Sequence, residues 1–166
     1  MAATDQRHID QVRRSVSVAE LFAVDSVRLW QVISDFAHID AWTNVKVVST
    51  TGTGIGDTRT IEMPSGQVVT ERLFEFDVAR QSLAYEVVEP NPYPMHAYRS
   101  TISLEAIANR QCRLHWRGEY APLTGTDFHK TDALVQNIYQ AGIKLLHAHL
   151  GACEHLECRS SLPTQR

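Results

Sequence analysis

The feature that most constrains the fold is a helical pattern near the end of the chain, over residues 127–156. Its apolar side chains fall within one broad stripe: Phe128, Val135, Ile138, Gly142, Leu145, Leu146 and Leu150. About 30 residues at about 1.5 Å each make a helix of roughly 45 Å. Thr124 or Thr126 is suited to cap its start. A helix this long needs a large surface to cover its stripe.

The residues before this helix predict the strands of a sheet that could cover the stripe. Alternating side chains and runs rich in Val and Tyr mark seven segments: 16–22, 45–51, 57–63, 67–77, 82–89, 98–106 and 112–120. Two short helices are predicted after the first strand, at 27–33 with Asp25 or Ser26 as cap and at 36–42. The sheet must curve to bury the stripe. We therefore predict an α+β fold, a curved seven-stranded antiparallel sheet around the long C-terminal helix.

Composition and charge fit one domain, which we place at residues 15–156 between flexible ends at 1–14 and 157–166. The 166 residues are 43% hydrophobic and 21% charged, and a net charge of -3 gives no reason to expect nucleic acid as a partner. No apolar run approaches the roughly 20 residues of a membrane span, and the first residues lack an apolar core, so we expect neither a membrane span nor a secretory signal. Three cysteines without a Cys-x-x-Cys motif favour a reduced protein in the cytoplasm.

Several short motifs occur in an order that is known from one superfamily. They are GIGDTR at 54–59, PSG at 64–66, ERL at 71–73, Tyr85, Pro94, Tyr98 with Arg99, and WRG at 116–118. Over residues 16–151 the chain resembles the START-like (SRPBCC, Bet v 1-like) superfamily with its helix-grip fold, and within it the bacterial polyketide cyclase/dehydrase-like branch. The resemblance implies a deep cavity between sheet and helix. It does not imply one activity, because members bind lipids, carry hydrophobic metabolites, cyclise polyketides or sense hormones.

Strand alternation predicts which side chains line such a cavity. On the last strand one face carries Cys112, Leu114, Trp116, Gly118 and Tyr120, and the outer face carries Arg113, His115, Arg117 and Glu119. The same alternation turns Tyr98 and Tyr85 inward on the two preceding strands, toward Ile138 and Gly142 of the helix. Gly142 either makes room for a ligand or lets helix and sheet pack closely. Trp42 is predicted to be buried between helix and sheet.

A charged pair is predicted on the apolar face of the hairpin at 57–77. Arg59 alternates with Met63 on its strand, so both side chains share that face. A two-residue turn would pair Arg59 with Arg72, whereas one extra bulged residue would pair it with Glu71, and opposite charges favour the bulge. The pair is either an ordinary salt bridge at the sheet surface or a cavity group. In the second case Arg59, held by Glu71, binds a carboxylate, enolate or phenolate of the ligand.

Two loops at the same end of the predicted sheet are placed at the cavity entrance. One is the stiff loop 90–96, with Tyr93, Pro94 and His96, and the other is the turn 64–66, with Pro64 and Gly66. In the plant hormone receptors of the superfamily, loops at these places close over the ligand, so the resemblance implies lids. His96 is either an exposed polar residue of the mouth or an acid, base or hydrogen-bond donor.

No motif in the sequence indicates a nucleophile, a metal or a cofactor. There is no Gly-x-Ser-x-Gly, and His149 and Cys153, four apart on the predicted helix, fall short of the three or four ligands of a zinc site. We therefore predict no cofactor and no metal, and assign no catalytic residue.

Three function classes stay open. The favoured class is a carrier or sensor that binds a small hydrophobic molecule (a lipid, polyketide or aromatic metabolite), because the predicted lining has few titratable groups. The second is a cyclase or dehydrase-type enzyme that uses Arg59 and Tyr98, with His96 or Tyr120, to stabilise an enolate and move protons. The third is an interaction module whose own side chains fill the cavity. The oligomeric state stays open, a homodimer included.

Overall fold

The computed structural model describes the backbone of residues 13–160 and the side chains of residues 13–152. The chain begins with β1 (Arg14–Phe22), α1 (Ser26–Ile33) and a 3₁₀ helix (Phe36–Ala41). Six strands follow: β2 (Lys46–Thr50), β3 (Thr58–Glu62), β4 (Val68–Asp77), β5 (Ser82–Val87), β6 (Met95–Ala108) and β7 (Gln111–Pro122). The last element is α2 (Phe128–Ser160). The predicted flexible ends lie largely outside the described residues, as does the side chain of Cys153.

The seven strands form one antiparallel sheet in the order β1-β7-β6-β5-β4-β3-β2. From β2 to β7 each strand pairs with its neighbours along the chain. By contrast, β1 lies beside β7, with Val18 opposite Trp116. The sheet is curved and open, and α2 covers its inner face. The predicted α+β helix-grip fold is confirmed.

The inner face of the sheet is apolar, as strand alternation predicts. All five residues assigned to the inner face of β7 are buried: Cys112, Leu114, Trp116, Gly118 and Tyr120. The four residues between them are exposed or half-buried on the outer face, where Arg113 contacts Glu105 and Arg117 contacts Glu119. The burial of apolar side chains against α2 therefore fixes which face of each strand points inward.

The buried stripe of α2 is centred on a slightly different line from the predicted one. Val135, Tyr139, Ile143, Leu146 and Leu150 are its most buried apolar side chains. Ile138 is only half-buried, at the border of the stripe. Phe128 is 36% exposed, with the guanidinium carbon of Arg14 4.1 Å from its ring centroid. The stripe is confirmed, and its centre at Tyr139 was not predicted.

Polar caps fix the starts of both α-helices. Asp25 caps α1, because its carboxylate accepts a hydrogen bond of 2.9 Å from the amide of Arg28. For α2 the predicted threonine caps are wrong. The Asp127 carboxylate accepts from the amide of His129 at 3.0 Å, whereas the Thr126 hydroxyl donates backward to Leu123. Asp127 directly precedes the first helical residue, so its carboxylate is the group in reach of the free amides.

Trp42 lies between the 3₁₀ helix, the sheet and α2. Only 4% of it is exposed, and its ring packs edge-on against Trp116, with centroids 6.3 Å apart. A Cβ added at Gly142 would come within 2.9 Å of the Trp116 ring. Of the two roles considered for Gly142, close packing of helix and sheet is therefore observed.

Candidate ligand-binding site

The β3–β4 hairpin has the bulged register. Arg59 pairs with Glu71 and Glu62 pairs with Val68, which leaves a turn one residue longer than a two-residue turn. The turn is closed by the amide of Met63, which donates to the carbonyl of Gln67 at 2.8 Å. Gly66 has a φ of 86°, a left-handed conformation that glycine adopts without strain. The predicted opposition of Arg59 and Glu71 is confirmed.

Arg59 and Glu71 form a buried ion pair, with 4% and 8% of the residues exposed. Arg59 Nε donates to Glu71 Oε2 at 2.7 Å, and Arg59 Nη1 donates to the carbonyl of Phe36 at 2.8 Å. The guanidinium carbon also lies 4.1 Å from the ring centroid of Phe36 and 5.2 Å from that of Tyr85. The guanidinium is thus held by a carboxylate, a carbonyl and two aromatic rings.

Two adjoining cavities lie between the sheet and α2. The larger measures about 370 Å³ and is bordered by Trp116, Gly142 and Pro64, among others. The smaller measures about 60 Å³ and is bordered by Val69, Tyr93, Tyr98 and Tyr139, among others. Four residues border both cavities: Met63, Glu71, Tyr85 and Ile138. Trp116, Tyr98, Tyr85 and Ile138, which strand and helix patterns predict around one cavity, border two cavities in the structure.

A chain of hydrogen bonds crosses the wall behind the smaller cavity. The Tyr98 and Tyr139 hydroxyl oxygens are 2.5 Å apart, and Tyr139 lies 3.1 Å from the Ser100 hydroxyl. Ser100 accepts from the indole Nε1 of Trp116 at 2.9 Å. A Cβ added at Gly118 would lie 2.2 Å from the Tyr139 hydroxyl oxygen, so only glycine leaves room for this network. The network ties α2 to the middle of the sheet.

Burial keeps these tyrosines protonated. Desolvation raises the pKa of Tyr98 well above its usual value and raises the pKa of Tyr139 to about 12. Desolvation, and then the negative charge of Glu71, also raises the pKa of Tyr85. At neutral pH these three tyrosines, which border the cavities, therefore carry neutral hydroxyl groups.

Two predicted ligand contacts, Arg59 and Tyr120, do not border either cavity. Arg59 lies behind Glu71 and Tyr85, because it is drawn toward the carbonyl of Phe36. Tyr120 lies where the start of α2 covers the end of β7, and its hydroxyl donates to Asp132 at 2.6 Å. Strand alternation correctly predicts the face of the sheet on which each residue lies. It does not predict how far each side chain is from the cavities.

Of the five residues predicted at the entrance, some border a cavity and others do not. Pro64 borders the larger cavity and Tyr93 the smaller, whereas Gly66, Pro94 and His96 border neither. Gly66 and His96 are exposed and Pro94 is half-buried. The imidazole Nδ1 of His96 lies 3.8 Å from the carboxylate of Glu89.

Tyr139 and Asn91 are among the residues of the smaller cavity that were not predicted as site residues. A signal for Tyr139 exists, because it continues the four-residue spacing of Val135 and Ile143. Asn91 follows the cis Glu89–Pro90 peptide bond, and its side-chain Nδ2 is buried with no hydrogen-bond partner among the described residues. No local pattern predicts that placement.

Charge is scarce around the cavities. Among the described residues that border them, Glu71 is the one with a charged side chain. Residues 13–152 hold no cluster of three or more His, Cys, Asp or Glu side chains that could bind a metal ion. Within that same part of the chain, no helix is long and apolar enough to cross a membrane.

Comparison with solved structures finds the same fold in proteins from several bacteria. An uncharacterised protein of Bacillus thuringiensis is 26% identical, with a TM-score of 0.72 over 82% of this chain and 99% of that one. XoxI of Bacillus cereus is 23% identical, with a TM-score of 0.74 over 85% and 98%. A Thermobifida fusca protein is 20% identical, with a TM-score of 0.67 over 80% and 90%.

Sequence comparison identifies the family. No curated protein matches the chain. A family model described as polyketide cyclase / dehydrase and lipid transport matches residues 13–151, which include the whole sheet and most of α2. The START-like resemblance is thereby confirmed, and the chain belongs to the polyketide cyclase / dehydrase and lipid transport family.

Proposed function

We propose that the protein binds a small hydrophobic molecule in the two adjoining cavities and acts as its carrier or sensor. The observation that carries this proposal is the larger cavity, whose volume of about 370 Å³ falls in the range of small-molecule sites. Its border is mainly apolar, with Ile39, Ile61, Leu134 and Leu145 among its residues. The free volume also favours a ligand over a cavity filled by the protein's own side chains.

The chemistry of the border supports binding rather than cyclase or dehydrase activity. Proton transfer needs a group that titrates near the working pH. The tyrosine hydroxyls bordering the cavities have raised pKa values, and the Glu71 carboxylate is already paired with Arg59. Protonated tyrosine hydroxyls can donate or accept hydrogen bonds, but they are poor general bases.

A neutral fluorescent probe, N-phenylnaphthylamine, tests the proposal directly. We expect saturable binding with enhanced fluorescence, and native mass spectrometry of the purified protein to show a co-purified organic molecule. Val69→Phe should weaken probe binding by about tenfold or more, because it places a ring in the smaller cavity.

Val68→Phe is the matched control for this variant. Val68 is the next residue on β4, points to the opposite face and is 52% exposed, so the same substitution leaves the cavities unchanged. Equal probe affinities for the two variants, or no saturable binding to the unmodified protein, would contradict the proposal.

A further inference from the structure

The Glu71 carboxylate lies at the junction of the two cavities. It borders both of them, and none of the other described bordering residues is Lys, Arg, His, Asp or Glu. A carboxylate has two oxygens and about four acceptor positions. The hydrogen bond described for it occupies Oε2 alone, with Arg59 Nε as donor. The carboxylate thus retains capacity to accept a hydrogen bond from a ligand.

Arg59 balances the negative charge of Glu71, but its own positive charge is not exposed to the cavities. Its guanidinium donates to Glu71 and to Phe36, lies against two rings and borders neither cavity. A ligand at the junction therefore meets an acceptor, and not a cationic donor. This reverses the sequence-based expectation that Arg59 would bind a carboxylate or phenolate.

The same arrangement selects against charged ligands of either sign. An anionic group would face the Glu71 oxygens with no cation in the wall to compensate it. An ammonium group would lose its hydration for a carboxylate whose charge Arg59 already neutralises. A neutral hydroxyl loses little hydration and can donate to Glu71.

Asn91 offers a second polar group, which could donate a hydrogen bond to an oxygen atom of the ligand. Its Nδ2 is a buried donor without a partner among the described residues, and Asn91 borders the smaller cavity. A buried unpaired donor costs stability, which an acceptor oxygen of a ligand would recover. A hydroxyl or carbonyl oxygen supplies that acceptor without adding charge.

We infer that the ligand is a neutral apolar molecule bearing at least one hydroxyl group, which donates to the Glu71 carboxylate. This inference rests on the proposed binding function and assigns its polar specificity to Glu71. It excludes fatty-acid and other carboxylate ligands, whose apolar bodies would otherwise fit the cavities.

Three competitors with one apolar body, naphthol, naphthoate and naphthalene, test the inference by displacing N-phenylnaphthylamine. We expect naphthol to compete at least about tenfold better than naphthoate and also better than naphthalene. If the probe does not bind, the proposed function itself fails. If the probe binds but naphthoate competes as well as naphthol, the function stands and this inference is overturned.

Two variants distinguish the effect of the Glu71 carboxylate on ligand preference from the general cost of burying an anion. In Glu71→Gln the charge of Arg59 is no longer balanced, so the preference for naphthol over naphthoate should fall by about tenfold or more. Glu86→Gln is the control, since it removes one negative charge on the outer face of β5. An unchanged preference in Glu71→Gln would overturn the inference.

A double variant covers the case in which Glu71→Gln does not fold. Arg59→Met with Glu71→Met replaces both partners by apolar side chains, a change that buried ion pairs often tolerate. In this variant naphthol should lose its advantage over naphthalene, because the acceptor is gone. If naphthol keeps that advantage, Glu71 is not the acceptor and the inference is wrong.

Discussion

At the scale of single residues, one extra turn residue decides the chemistry of the site. In the observed turn, where Gly66 has a left-handed conformation, Arg59 lies opposite Glu71. A turn one residue shorter would place Arg59 opposite Arg72. The first pairing makes a neutral buried unit, whereas the second would bury like charges on adjacent strands. The register of the hairpin and the identity of the pair could therefore be predicted from local sequence and elementary electrostatics.

Removing one partner of this pair measures how strongly it is buried. Glu71→Ala should lower the free energy of unfolding by about 3–5 kcal/mol, because it leaves the Arg59 charge buried without its carboxylate. Glu86→Ala, which breaks contacts with Arg72 and Arg99 on the outer face of the sheet, should cost under about 1 kcal/mol. Urea unfolding of both variants gives the comparison. A loss below about 1 kcal/mol for Glu71→Ala would show that water reaches the pair freely.

At the scale of elements, α2 is fixed to the sheet by close contacts at two points. Near its middle Gly142 lies against Trp116, and Tyr139 fits over Gly118. Near its start Asp132 binds Arg14 of β1 and Tyr120 of β7, so three elements meet at one carboxylate. The helix itself could be predicted from its periodicity. These contacts could not, because they depend on how far the two elements approach each other.

The two glycines within α2 should respond to alanine in opposite ways. Alanine favours a helix over glycine by about 1 kcal/mol, so Gly151→Ala, with nothing within 4 Å of the added Cβ, should stabilise the protein. Gly142→Ala gains the same propensity but forces the Trp116 ring to move, which should cost about 1–3 kcal/mol. Thermal unfolding distinguishes them. Equal shifts in midpoint temperature would show that the Trp116 contact is loose.

The Asp132 cluster should make stability depend on pH in the acid range. Desolvation raises the pKa of Asp132, but hydrogen bonds from Arg14 and Tyr120 outweigh it and the pKa is lowered overall. A lowered pKa in the folded state stabilises the protein above the unfolded value of about 4. That stabilisation is lost as the pH falls through the folded-state pKa.

Asp132→Asn tests this dependence, with Asp40→Asn as an exposed control of equal charge change. We expect Asp132→Asn to be less stable than the unmodified protein at neutral pH, and the difference to shrink as the pH falls below about 4. Urea midpoints across the pH range measure it. A difference that stays constant with pH would mean that the carboxylate acts through packing alone.

At the scale of the whole molecule, the fold could be predicted more completely than the site. Every strand, both short helices and the inner face of β7 follow from periods of two and of about 3.6 residues. Strand alternation also predicts that Arg59 and Tyr120 lie on the inner face of the sheet. Their distance from the cavities depends on tertiary packing, which the alternation does not predict. The carbonyl of Phe36 and the start of α2 withdraw these two side chains from the cavities. The division of the space into two cavities is also a tertiary property, which strand parity does not predict.

The loops beside the cavities are expected to respond to ligand binding as lids. The loop 90–96 and the turn 64–66 lie at one end of the sheet, and each contributes a bordering residue, Tyr93 and Pro64. With N-phenylnaphthylamine near 100 times its Kd, amide exchange in both should slow by up to about 100-fold. The turn at Asn109 and Arg110, at the opposite end, serves as the internal control. Equal protection with and without probe would rule out lids.

The pairing of β1 with β7 bears on how the protein is made on the ribosome. Val18 is synthesised long before its partner Trp116, so β1 must wait while five other strands emerge. Until then β7 is missing from the sheet and α2 does not cover the inner face, so the nascent chain carries exposed apolar surface. Pairing over such a distance is slow. The late-synthesised part of the chain, and not its beginning, therefore commits the protein to its native state.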